Sequence, residues 1–223
     1  MKVFWLVIVF LTGCANIREF FKTDEYQNEI AALFVANPYP KWVGLSFKNK
    51  YRPCNAVFVA PHLAVTSSAC FSSEKEGVSV YDLNTTILEN KNRRFTIENI
   101  FFVEEAHLVF FYTKEESKPV YFVQRESLYG EQLRLSGFSI YGFRRFSQME
   151  AKAMVRATRF GNRQEGEFFI VRLETDKAVN NGAALFRQNG EFAGIIITQN
   201  GDGRALAVPA EVIYHNIQGI DLL

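Results

Sequence analysis

From Ala31 onward the chain is written in short apolar or alternating runs, spaced near ten residues apart and divided by turn-forming residues. In order they are WVGLSF (42–47), NAVFVA (55–60), LAVTS (63–67), GVSVYDL (77–83), RRFTIENIFFV (93–103), HLVFFYT (107–113), PVYFV (119–123) and QLRLSGFSI (132–140). KAMVRATRF (152–160), EFFIVRL (167–173), AALFRQNGEFAGIIIT (183–198) and ALAVP (205–209) complete the series. They are rich in β-branched and aromatic residues, and segments of this length and spacing predict an all-β sandwich or barrel. Asn189-Gly190, set between Phe186 and Phe192, marks a hairpin, because both residues accept left-handed backbone angles at low cost. Asn200-Gly201-Asp202-Gly203 predicts a second turn. Only PAEVIYHNI (209–217) opens like a helix, with Pro209 near the first position and Glu211 in the first turn. There is no internal repeat, and periodicity alone leaves several β topologies open.

The 223 residues, with 22 Phe, suit one ordinary domain or two small subdomains sharing an interface. A formal charge of +1 gives no basic face with which to displace counterions, so nucleic acid is not an expected partner. The pairs Arg93-Arg94 and Arg144-Arg145 read as solvated loop residues.

The first 13 residues do not read as part of the fold. Met1-Lys2 is a short positive start, and Val3–Leu11 is an apolar run of nine residues. A helix of that length spans about 14 Å, half of a bilayer core, which predicts a signal peptide rather than a membrane span. Leu11-Thr12-Gly13-Cys14 then resembles a bacterial lipobox, in which the cysteine thiol receives lipid and becomes the new N-terminus. Each buried methylene contributes about 0.8 kcal/mol, so a triacylated Cys14 would anchor the chain stably to a membrane. Ala15 follows in place of an aspartate. By resemblance to Gram-negative lipoproteins this favours the outer membrane of a cell envelope. Residues 14–30 read as a tether.

With Cys14 assigned to lipid, Cys54 and Cys70 remain as an even pair in an oxidising compartment. They are either a disulfide or two free buried thiols.

The order of certain residues narrows the fold further. Pro40-Lys41-Trp42-Val43-Gly44-Leu45, followed by CNAVFVAPHLAVTSSAC from Cys54 to Cys70, resembles the first barrel of trypsin-like serine peptidases. There an early strand leads to a cysteine, a hairpin and then T-A-A-H-C. Thr66 and Cys70 match that motif, Cys54 stands where the disulfide partner belongs, and Ala69 occupies the histidine position. His107-Leu108-Val109-Phe110-Phe111 resembles the family's D-I-A-L-L, with His107 at the aspartate's place. Val179-Asn180-Asn181-Gly182-Ala183-Ala184 resembles G-D-S-G-G-P, with Asn181 for the nucleophile and Val179 for the first, oxyanion-site glycine. The likeness covers about 180 residues, from 35 to 217. It implies two antiparallel six-stranded β-barrels, about 31–125 and 126–223, a short C-terminal helix and a Cys54–Cys70 disulfide.

Acyl transfer on such a framework needs an oxygen nucleophile, a base within reach of it and a group that orients the base. An alanine methyl cannot take a proton, and an asparagine amide is neither nucleophilic nor titratable near neutral pH. The β-branched Val179 also makes the glycine's backbone geometry costly. The expectation is therefore an inactive homologue: a lipid-anchored protein that binds a protein or extended peptide in the cleft between two barrels. The alternative is a hydrolase with relocated chemistry, using Ser67 or Ser68 with His107. His62, after Pro61, and His215, on the terminal helix, read as surface or capping residues. No metal-ligand spacing or phosphate-cradling glycine loop occurs, so no cofactor or metal is expected.

Overall fold

A computed structural model describes residues 29–36, 41–43, 46–48, 51–71, 86–90, 93–122, 130–138, 146–160, 164–173, 179–200 and 202–220. The expected signal peptide, the lipid-bearing Cys14, nearly all of the tether and the run 77–83 lie outside these residues. Fifteen strands are described, followed by one helix of eleven residues, α1 (Ala210–Ile220). The first nine are β1 (Ile30–Ala36), β2 (Lys41–Val43), β3 (Ser46–Lys48), β4 (Tyr51–Ala60), β5 (Leu63–Ser67), β6 (Ile87–Glu89), β7 (Arg94–Phe95), β8 (Ile97–Val103) and β9 (Leu108–Thr113). The others are β10 (Gln132–Phe138), β11 (Phe146–Phe160), β12 (Gln164–Leu173), β13 (Ala184–Arg187), β14 (Phe192–Gln199) and β15 (Arg204–Pro209).

Two antiparallel units result. The second is a closed barrel of six strands in the order β10-β11-β12-β15-β14-β13. The first is a curled seven-stranded sheet, β7-β6-β1-β4-β5-β9-β8, whose hydrogen-bond ladder does not close among the described residues. Among the described residues, then, one barrel closes where two were expected, and the first half is a curled sheet. Its two edge strands, β7 and β8, are successive pieces of chain separated by Thr96 alone. Thr96 turns its polar groups away from the ladder: its N–H and hydroxyl donate to the Glu115 carboxylate at 2.6 and 3.0 Å. Its carbonyl accepts from the Lys114 N–H at 3.0 Å. The Thr96 amide also holds the Glu115 carboxyl below the usual carboxylate range.

Strand periodicity explains how the two units meet. Successive side chains alternate between faces, and in the first sheet both faces are buried. On one side Ala31, Leu33, Ala56, Phe58, Ala64, Val109 and Phe111 fill the inside of the curl. On the other, Ile30, Ala32, Val57, Val65, Leu108 and Phe110 pack against Phe168, Phe186, Ile195, Ile197 and Val208 from the outside of the barrel. Ala210 and Ile213 of α1 join this middle core. Leu133, Leu135, Val171, Leu185 and Ile196 fill the barrel itself.

The Cys54–Cys70 disulfide is formed, tying β4 to a 3-10 turn (Ser68–Cys70) that follows β5. Closing a loop of sixteen residues contributes about 3 kcal/mol in the chain-entropy picture.

Other boundaries shift. The fold begins before Ala31: Ile30 lies in β1, and Glu29 is buried, its carboxylate 2.6 Å from the Lys118 ammonium. Run 42–47 divides into β2 and β3, paired as Trp42↔Phe47. Of the run 119–123, the described residues 119–122 form one bridge, Phe122 to Phe192. The Asn189-Gly190 hairpin forms between β13 and β14, with Gly190 at φ 89°.

Candidate functional site

The three positions singled out in the sequence all fall on turns facing the seam between the two units, and each uses a backbone group in a hydrogen bond that holds its turn. β5 ends at Ser67, whose side chain caps the 3-10 turn by accepting from the Ala69 N–H at 3.1 Å. The Ser67 hydroxyl donates across the seam to the Ile197 carbonyl of β14 at 3.0 Å. It is fully buried, with its proton and a lone pair both engaged. Ala69 therefore sits on a turn pinned from both sides of the seam.

His107 closes the turn between β8 and β9. Its N–H donates to the Glu104 carbonyl at 3.1 Å, and its own carbonyl accepts from the Ser68 N–H at 2.9 Å. This brings His107 and Ala69 to one place. The ring packs at 5.6 Å on Phe168 of β12, from the opposite unit. His107 alone among the described non-glycine residues has positive φ, at 55°, a left-handed geometry costly for most side chains. Burial against Phe168 pushes its imidazole below the usual value, favouring the neutral ring. The sign for stability follows. As pH falls below about 6.5 the unfolded chain takes up the proton first, so stability declines until the folded ring also protonates. Urea midpoints taken from about pH 8 to pH 5 should fall more in the wild type than in His107→Asn. Asparagine tolerates the left-handed backbone and does not titrate. Parallel curves for the two proteins would contradict this.

Asn181 lies in the turn that enters β13, and its carbonyl accepts from the Asn55 N–H at 2.7 Å. Gly182 follows at φ 82°, and its N–H donates to Ile196 at 2.7 Å. The glycine is required: a Cβ there would lie 1.8 Å from the Asn55 carbonyl oxygen. Asn180 is buried and donates from Nδ2 to the Phe138 carbonyl at 2.8 Å. The Val179 N–H donates to the Gln199 side-chain oxygen at 2.8 Å.

Two residues that carry this arrangement were not singled out in the sequence. Asn55, on β4 and fully buried, accepts from the Phe138 N–H on Oδ1 at 2.7 Å. Its Nδ2 faces the Phe138 and Asn180 carbonyls, each at 3.4 Å. Its own carbonyl accepts from the Thr66 hydroxyl at 2.5 Å, and Thr66 in turn lies 3.5 Å from the Cys70 sulfur. One side chain of the first unit thus holds the turn and the strand end of the second. The signal available was an asparagine inside an otherwise apolar strand run, where that residue is disfavoured. Gln199, the last residue of β14, gave no local signal.

The remaining histidines lie elsewhere. His62 places Nδ1 3.0 Å from the Thr113 carbonyl, and Thr113 donates back to the His62 carbonyl from N–H and hydroxyl. His215 is exposed on α1. Among the described residues no group of three His, Cys, Asp or Glu gathers as metal ligands.

No family model matches the sequence, and no curated protein matches it. Solved structures do. The chain is similar to the active form of the Rv3671c protease from M. tuberculosis, with TM-score 0.65 and 11% identity over 82% of this chain and 77% of that one. It is similar to the MamO protease domain from Magnetospirillum magneticum, with TM-score 0.60 and 14% identity over 85% and 96% of the two chains. It is also similar to kallikrein-related peptidase 10, with TM-score 0.60 and 11% identity over 87% and 95%. At such identities the likeness is one of architecture. The chain has the trypsin-like serine protease fold, with one closed barrel, one curled sheet and a C-terminal helix.

Proposed function

We propose that this chain is a non-catalytic, lipid-anchored protein of the bacterial envelope that uses a peptidase-like scaffold to hold a protein or extended peptide without cutting it. The observation that supports this most is the chemistry of the three seam turns. Ala69 offers a methyl, Asn181 an amide, and His107 a ring packed on Phe168 with no hydrogen-bond partner among the described residues. A nucleophile, a base and an orienting group are all wanting from the positions the scaffold gives them. Anchorage follows from the lipobox-like Leu11–Cys14 and the apolar run before it.

The geometry also favours a receiving edge. Strand β14 outruns β13: the pairing ends where Ile196 bonds Gly182 and Ala183. From Ile197 onward no described strand pairs with that side of β14. An extended peptide laid there would gain main-chain hydrogen bonds.

The competing reading, relocated hydrolysis, is weakened for Ser67 because its hydroxyl is buried and doubly engaged. It then rests on Ser68 with His107. Exposure of the purified protein to a fluorophosphonate probe tests it. We expect no labelling above that of a Ser68→Ala/His107→Asn double variant. Labelling that disappears in the double variant would establish the hydrolase and remove the capture reading.

A further inference from the structure

We infer that Gln199 is an internal stand-in for the bound peptide: its carboxamide fills the place that a ligand carbonyl takes on the Val179 N–H. The inference rests on the capture reading. Its basis is the contact at 2.8 Å between Gln199 Oε1 and the Val179 amide. Up to Ile196, the backbone of β14 is answered by the turn preceding β13, through the Gly182 N–H and the Ala183 carbonyl. Past that point side chains take over, with Ser67 on the Ile197 carbonyl and Gln199 reaching Val179.

The two contacts differ in kind. Ser67 is fully buried and also caps a turn, so it is fixed. Gln199 and Val179 are both only partly buried, and Gln199 lies at the end of its strand. A glutamine carboxamide carries the same acceptor as a peptide group. It can therefore satisfy an amide while the site is empty and yield it to a chain that brings its own carbonyl. Displacement costs the ligand one hydrogen bond that is already made, so removing Gln199 should tighten binding by about fivefold. The ligand class is an extended polypeptide presenting an unpaired backbone carbonyl; a carboxylate or phosphate is not required.

The test uses the full chain, with reduced β-casein as the extended polypeptide. Amide exchange at Val179 is read by NMR, and casein affinity by fluorescence anisotropy. In the wild type the Val179 amide is protected. Gln199→Ala should exchange there about fivefold faster, while Gln199→Glu, which keeps an acceptor, should stay protected. Casein should bind Gln199→Ala more tightly than wild type and restore protection at Val179. Unchanged Val179 exchange in Gln199→Ala overturns the inference, as does casein binding that leaves the amide exposed; in both cases capture itself stands. Casein that binds none of the three proteins overturns the capture reading and the inference with it.

Discussion

Gly182→Ala is expected to lose more than about 4 kcal/mol of stability, an effect reserved for a few severe mechanisms. Two causes act together and can be separated. The backbone is left-handed at φ 82°, and the new Cβ would lie 1.8 Å from the Asn55 carbonyl oxygen and 2.5 Å from the Thr66 hydroxyl. The first clash is with backbone, so no rotamer change relieves it; β4 or the Asn181 turn must move. Both belong to the bond between Asn55 N–H and Asn181 carbonyl that joins the two units. Gly203→Ala is the control. That glycine has nearly the same angle, φ 77°, but the nearest atom to a new Cβ is the Leu173 oxygen at 3.7 Å. It should cost only the backbone term, about 1–2 kcal/mol. Urea unfolding of both variants gives the comparison. Equal losses would mean that backbone angle, and not contact with Asn55, governs the turn.

The second large effect is expected at Asn55. Asn55→Leu keeps the approximate volume but removes the Oδ1 acceptor that now serves the Phe138 N–H at 2.7 Å in a buried seam. The Phe138 carbonyl retains Asn180 Nδ2 at 2.8 Å, so the loss falls mainly on one donor. A stranded buried amide together with the lost bonds should cost about 3 kcal/mol. Asn55→Asp keeps the acceptor for Phe138 but turns a carboxylate oxygen toward the Phe138 and Asn180 carbonyls that Nδ2 faces at 3.4 Å. Burial and repulsion raise the folded pKa of the new acid, so the folded state binds the proton more tightly. The Asp variant should accordingly recover stability as pH falls, whereas the Leu variant should keep a constant deficit. A deficit under about 1 kcal/mol for Asn55→Leu would mean that apolar packing alone holds the units together.

How far the sequence announces this molecule depends on the range of the forces involved. β4, β5, β9, β13 and β14 are legible as apolar runs because each contributes to two cores, so both parities are hydrophobic. The hairpin at Asn189-Gly190 is legible because its chemistry is local. Cys54 and Cys70 are legible by count and by family pattern. The break inside 93–103 is not: Arg93–Val103 reads as one strand, and the bend at Thr96 is imposed by Glu115, nineteen residues further along. Glu29 and Ile30 look like the end of a tether because the partner that holds Glu29, Lys118, arrives from a distant loop. Site residues divide the same way. Ala69, His107 and Asn181 stand out only by order and spacing along a family pattern; in the structure they lie on turns along one seam. Asn55 and Gln199 act only through partners remote in sequence, and a single chain carries no mark of such contacts.

The corner at Thr96 makes the first half a split ring, fastened by the chain itself where other hoops are fastened by a ladder. Within a ladder, one added residue flips every later side chain to the wrong face. At the split, an extra residue between Phe95 and Ile97 can loop outward and leave both flanking registers as they were. The corner can thus accept added chain while the seam opposite keeps its fit to the barrel.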